Sequence, residues 1–179
     1  MDLRPLNPYY QMTARRTRDA APYTYAYRWQ EPVTDRTQAD VDRLKELRAL
    51  GYDGMTAAER QEYTGYHKGA LNKVDLERIE NNVQILLDVL EIDSQSAVGA
   101  VPTWPTESYY RQLYNNVSAI RAGYYLHSDT PPVPPLPWTT WQKWNAVEQI
   151  LADVYEVLMA QYSYFSGELR VGDNTGMIL

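Results

Sequence analysis

Five of the nine residues from Thr130 to Trp138 (TPPVPPLPW) are proline, and no other stretch of the chain restricts the fold as strongly. Proline fixes φ near about −65° and has no N–H to donate, so the stretch cannot be helix and cannot lie inside a sheet. It predicts a stiff polyproline II strut. Its PxxP spacing is also one that aromatic-lined grooves bind. Tight flanking by helical patterns and the terminal Trp138 favour packing against the chain's own domain.

On both sides of the strut the apolar residues recur at helical spacing. Thr34 or Asp35 can cap a first helix whose Val41, Leu44, Leu47 and Leu50 are spaced by three, with Gly51 placed to end it. GYDGM then makes a turn. Thr56 with Glu59 is a capping box for a short helix through Tyr63, closed by Gly65. Asn72 with Asp75 opens a long helix over roughly residues 73–92. Thr106, with Glu107 in the first turn, starts a fourth helix through Tyr110, Leu113, Val117, Ile120 and Tyr124. A fifth runs from Trp141 to about Tyr162, capped by Thr139 or Thr140. The predicted fold is all-α: a bundle of about five helices over residues 31–165, with a polyproline strut and an extended arm at each end.

The ends read differently from the middle. Residues 1–30 carry Pro5, Pro8 and Pro22 and no helical period, and YTYAYRW alternates, with Tyr23, Tyr25, Tyr27 and Trp29 on one side. That is a strand signature without a partner strand nearby, so the arm is expected to pair with, or lie along, something else. The tail, residues 166–179, holds Gly167, Gly172 and Gly176 and is expected to be extended too. Sixteen Tyr and five Trp against one Phe give most large rings a polar edge suited to interfaces. Tyr23, Tyr25, Tyr27, Trp29, Trp138 and Tyr164 are the candidate interface residues.

Charge and missing residue types exclude whole classes of function. The net charge is −6, yet the first 30 residues carry five Arg against two Asp. A basic arm on an acidic body suits an acidic neighbour better than nucleic acid. With no Cys there is no disulfide framework, thiolate chemistry or Cys-based zinc site. No apolar run approaches the roughly 18 residues of a membrane span, and the N-terminus lacks the order of a signal peptide. No phosphate loop, nucleophile elbow or HExxH is present. No enzyme activity and no cofactor is expected.

The carboxylates of VDLERIENNVQILLDVL, Val74–Leu90, deserve the same test. At 100° per residue, Leu76, Ile79, Val83, Leu86, Leu87 and Leu90 fall within about 100° of one another. Glu80 and Asn82 lie on opposite flanks of that stripe, Glu77 and Asn81 point away, and Arg78 falls to the side. The fifth helix repeats the arrangement, with Glu148 on the flank that Glu80 occupies, so the two helices could pack antiparallel or about a local pseudo-symmetry. A metal bridged between Glu80 and Glu148 would need a His three residues beyond each, where Val83 and Leu151 stand instead. No metal is expected, and Glu80→Gln should leave secondary structure and oligomeric state unchanged. His67 reads as a surface residue in a turn, and His127 as a cation at the end of the fourth helix.

VTDRTQADVDRLKEL followed by LNKVDLERIENNVQIL resembles a module of tail and baseplate-region structural proteins of phages and prophages of Gram-positive bacteria. YSYFSGELRVGDN is similar to a Ser-Gly-Glu ending frequent among them. The likeness covers residues 31–92 and 138–173. It departs at Glu77, where that family has Asn, and around Trp104 and the strut. The resemblance implies a non-enzymatic virion structural protein, assembled in the host cytoplasm into a homo-oligomer with other virion proteins through its arms. The alternative is a non-viral helical adaptor that binds one protein partner. Deleting residues 1–30 should leave a folded helical monomer that no longer assembles.

Overall fold

The computed structural model describes residues 29–92 and 101–165, with side chains described as far as Ala160. Over these residues the chain is all-α, with no strand: α1 (Gln38–Gly54), α2 (Ala57–Thr64), α3 (Lys73–Val89), α4 (Glu107–Gly123) and α5 (Trp141–Phe165). Tyr23, Tyr25 and Tyr27 of the expected arm, the expected tail and the side chain of Tyr164 lie outside the described residues.

Local capping chemistry sets most of the boundaries. α1 begins at Thr37, not at Thr34 or Asp35: the Thr37 hydroxyl accepts from the Asp40 N–H while the Asp40 carboxylate accepts from the Thr37 N–H at 2.7 Å. Thr34 and Asp35 belong to the preceding extended segment, which is held elsewhere. Gly51 breaks α1 with φ +67°, the left-handed region glycine enters without strain, and one more turn reaches Gly54. Thr56 and Glu59 close the expected capping box on α2. Thr106 caps α4 by accepting from the Tyr109 N–H. α4 stops at Gly123, so Tyr124 is already extended. His127, exposed and four residues past that end, does not cap it.

Helices α3, α4 and α5 enclose one core. Ile79, Val83 and Leu86 of α3, Leu113, Val117 and Ile120 of α4, and Val147, Ile150, Leu151 and Val154 of α5 are at most 1% exposed. Each such side chain contributes about 1.5–3 kcal/mol relative to remaining in water.

Pairing along their lengths gives the direction of the three helices. Near one end Arg78 of α3 meets Glu148 of α5, and Tyr110 of α4 meets Trp144 of α5 at 6.2 Å between ring centroids. At the other end a Cβ on Gly123 of α4 would come within 2.8 Å of Ile92, just beyond α3. All three helices therefore run the same way, a finding the amphipathic patterns had left between antiparallel packing and pseudo-symmetry.

Parallel neighbours need a return as long as the helix, and a 17-residue helix such as α4 is about 26 Å long. The proline stretch supplies the second part of that return, from Thr130, whose hydroxyl donates to Asp153 at the middle of α5, to Trp138, which packs on Trp144 near its start, anchors about 14 Å apart along the helix. Its carbonyls, which have no strand to pair with, are taken by side chains: Arg121 donates to Pro131 O, Trp138 Nε1 to Pro134 O, and Lys143 to Pro135 O and Pro137 O. The Leu136–Pro137 peptide is cis. Trp138, expected as an interface residue, is 6% exposed and sits between Tyr114 and Trp144. Its ring belongs to the chain's own core.

The α1–α2 hairpin has a smaller core of its own, Leu44, Leu47 and Met55. The loop before α3 presses on it: a Cβ at Gly69 would lie 2.1 Å from the carbonyl oxygen of Asp40, so only glycine fits there.

Candidate functional site

The segment Trp29–Thr37 crosses the bundle in extended form before α1 begins. An extended chain off the sheet has unpaired amides, and side chains of α3 and α5 take them. Asn82 pairs with Gln30 in both directions, its Oδ1 accepting from the Gln30 N–H at 3.0 Å and its Nδ2 donating to the Gln30 carbonyl at 2.7 Å. The Val33 N–H donates to Glu148 Oε2 at 2.8 Å. Asn145 repeats the two-way pairing with Arg36. At the outer end the Trp29 indole stacks on Tyr155 of α5, with centroids 3.8 Å apart and planes 4° from parallel.

Under this segment lies a cluster of four charges. Arg36 is 3% exposed, Asp75 0%, Glu148 1% and Arg78 9%. Arg36 Nη2 donates to Asp75 at 3.1 Å and to Glu148 at 2.7 Å. Arg78 grips Glu148 with two nitrogens, at 2.9 and 2.8 Å, and reaches Asp75 at 2.6 Å. Two guanidiniums face two carboxylates, so the buried set is neutral. Buried charges are tolerated when they are paired and their remaining hydrogen-bonding positions are filled. For the carboxylates they are: Glu148 accepts also from the Val33 N–H, and Asp75 from the Tyr66 hydroxyl and from both the backbone and side-chain nitrogens of Asn72, while Arg36 Nε is buried without a partner.

Burial alone would raise the Asp75 carboxyl, but the Asn72 N–H, Arg78 and Tyr66 outweigh it and hold it below the ordinary range. Its contribution is therefore complete above the ordinary carboxylate pKa and is lost as pH falls through the depressed value. Burial likewise opposes the charge of Arg78, and the Glu148 and Asp75 carboxylates override it, raising its pKa.

The chemistry available to this cluster is cohesion. Its carboxylates are saturated with donors and sealed from solvent. Among the described residues no three of His, Cys, Asp and Glu gather as a metal would require. Glu80 and Glu148 do not share a site, because Glu148 faces the arginines while Glu80 faces Tyr109 of α4. Glu80 is 9% exposed, and burial raises its carboxyl despite the neighbouring Tyr109. The sign is opposite to that of Asp75: Glu80 costs stability when ionised and ceases to do so as pH falls below its raised pKa. Glu80→Gln is therefore expected to keep the fold and to raise the free energy of unfolding at pH 7 by no more than about 1 kcal/mol, read from urea unfolding. The gain should shrink as pH is lowered toward the carboxylate range; a constant gain across pH would remove the charge explanation.

Of the expected interface residues, Trp29 is docked on its own chain and Trp138 is in the core. The residues that make the site were read otherwise from the sequence: Asp75 as a cap, Arg78 as lying to the side, Glu148 as a flank, and Arg36 only as part of the Asp-Arg-Thr start that carries the resemblance. A signal was present in the i, i+3, i+7 spacing of Asp75, Arg78 and Asn82, which puts a polar row beside the apolar stripe of α3. His67 is half-buried, its carbonyl accepting from Asn72, and is not the surface residue expected.

No protein-family model, no curated protein and no solved structure matches the chain.

Proposed function

We propose that this chain is a non-enzymatic structural component of a phage particle, from the tail or baseplate region, whose helical body is a mount for its N-terminal arm. The observation that carries the reading is where the residues of the resemblance lie. Arg36 of the Asp-Arg-Thr start and Asp75 and Arg78 of the second motif are the buried charges that clamp the extended segment leading to the arm. A module whose recurring residues fix the exit of an arm suits assembly by arm docking. The Tyr-rich composition and the basic charge of the first 28 residues fit a protein neighbour with an acidic surface.

The docked Trp29 and Gln30 move the useful truncation point from residue 30 to residue 28. Light scattering after size exclusion should find the full chain as a multimer of defined mass. The protein lacking residues 1–28 should be a monomer with the same helical circular dichroism. Equal assembly of the two would refute the arm's role, and a monomeric full chain that forms a one-to-one complex would favour the adaptor reading. Mass spectrometry of purified virions should find the chain at a fixed ratio to the other structural proteins.

A further inference from the structure

Although the chain as a whole is acidic, one cavity in it has the opposite sign. Where the loop before α3 presses on α1, a space of about 410 Å³ opens toward the first turn of α5, within the about 300–1,000 Å³ common for ligand pockets. Its charged lining is Lys45 of α1, Lys68 of the loop and the buried Arg36, and no carboxylate lines it. Arg36 is balanced within the buried cluster, so the two lysines set the sign. Each now holds an exposed carboxylate, Lys45 that of Asp42 at 3.0 Å and Lys68 that of Asp35 at 2.5 Å. Exposed pairs of this kind hold their partners weakly, and either ammonium can turn to a better-placed anion. The cavity is not polar throughout. Val41, Leu71 and the half-buried Trp141 give it an apolar wall, reached also by Trp138 and Trp144. The first turn of α5, which borders it, has no acidic residue.

We propose that this cavity docks an acidic segment of a partner protein, with carboxylates on Lys45 and Lys68 and a neighbouring apolar side chain against Trp141, Val41 and Leu71. Charge complementarity selects the sign of the occupant. The wall selects a peptide over a free anion, because phosphate would use the lysines alone and leave the apolar surface wet. Docking here is independent of the N-terminal arm and of whether the chain is a virion component.

Three of the five tryptophans line the cavity, so intrinsic fluorescence of the full chain reports its occupancy. The probes are acetylated, amidated Glu-Glu-Xaa-Glu-Glu peptides with Leu, Met or Phe as the central residue, which contribute no tryptophan signal of their own. At low salt at least one should give a saturable change, and its counterpart with Gln for every Glu should not. Lys45→Gln combined with Lys68→Gln, both at exposed side chains, should keep the circular dichroism and weaken binding by about tenfold or more. Lys73→Gln combined with Arg111→Gln removes two exposed cations that do not line the cavity and should leave the affinity unchanged. No saturable change with any of the three peptides, equal binding of the Gln counterparts, or equal losses in the two double variants would overturn the proposal. Displacement of the peptide by inorganic phosphate at matched ionic strength would overturn the choice of occupant and give the cavity to a free anion.

Discussion

Glu148→Ala is expected to lower the free energy of unfolding by about 3–5 kcal/mol, the usual result of removing one partner from a buried ionic set. The substitution leaves Arg36 and Arg78 with Asp75 alone, a net positive charge in a site almost closed to water. It also strands the Val33 N–H. Against a total stability of about 5–15 kcal/mol for a domain of this kind, that is a large share. The same atoms do not imply that the cluster is worth this much in itself, since a well-packed apolar set of equal volume can match a buried ion pair. What the loss measures is an unbalanced charge. Glu77→Ala, which breaks an exposed Lys73–Glu77 pair on the same helix as Asp75 and Arg78, should change stability by no more than about 0.5 kcal/mol. Urea unfolding of both variants gives the comparison; similar losses for the two would mean that the cluster is not buried as described.

Truncation should show a step at the root of the arm. Removal of residues 1–28 leaves the Trp29–Tyr155 stack, the Asn82–Gln30 pair and the four-charge cluster in place, and the urea midpoint should move little. Removal of residues 1–36 takes Arg36 away, leaves two carboxylates to one guanidinium, and orphans the amides of Asn82 and Asn145. A loss of at least about 3–5 kcal/mol is expected from the charge alone, with a further contribution from each buried amide left without a partner. A smooth decline with truncation length would contradict a clamp located at residues 29–36.

What was legible in the sequence was what is local. The capping boxes at Thr56 and Asn72 and the stripe of α3 depend on residues within one helix, and the structure places them as the spacing implies. α1 starts three residues later than Thr34 because Thr37 also has an acidic partner three positions on, Asp40, while Thr34 lies within a segment committed to α5. The direction of the helices was not legible, because an amphipathic stripe is the same read either way; the proline stretch was the one clue to a parallel return. The charge cluster was hidden for another reason. Arg36 and Glu148 are 112 residues apart, and Arg78 and Glu148 are 70 apart, so helix angles could place each on a flank without revealing that the flanks meet. Trp138 was legible in part: its place at the end of a proline run tightly flanked by helices pointed to packing against the chain's own domain, and Tyr114 and Trp144 are the rings it meets there.

The central claim is that the four buried charges hold the segment leading to the arm against the bundle. Hydrogen exchange on Glu148→Ala under native conditions tests it most directly. The amides of Gln30, Val33 and Arg36, each bonded to a side chain of α3 or α5, should be protected in the wild type and should lose protection first in the variant. The amides in the middle of α4, whose core contacts are untouched, should stay protected. Unchanged protection at those three amides, or a uniform loss across segment and bundle alike, would contradict the claim.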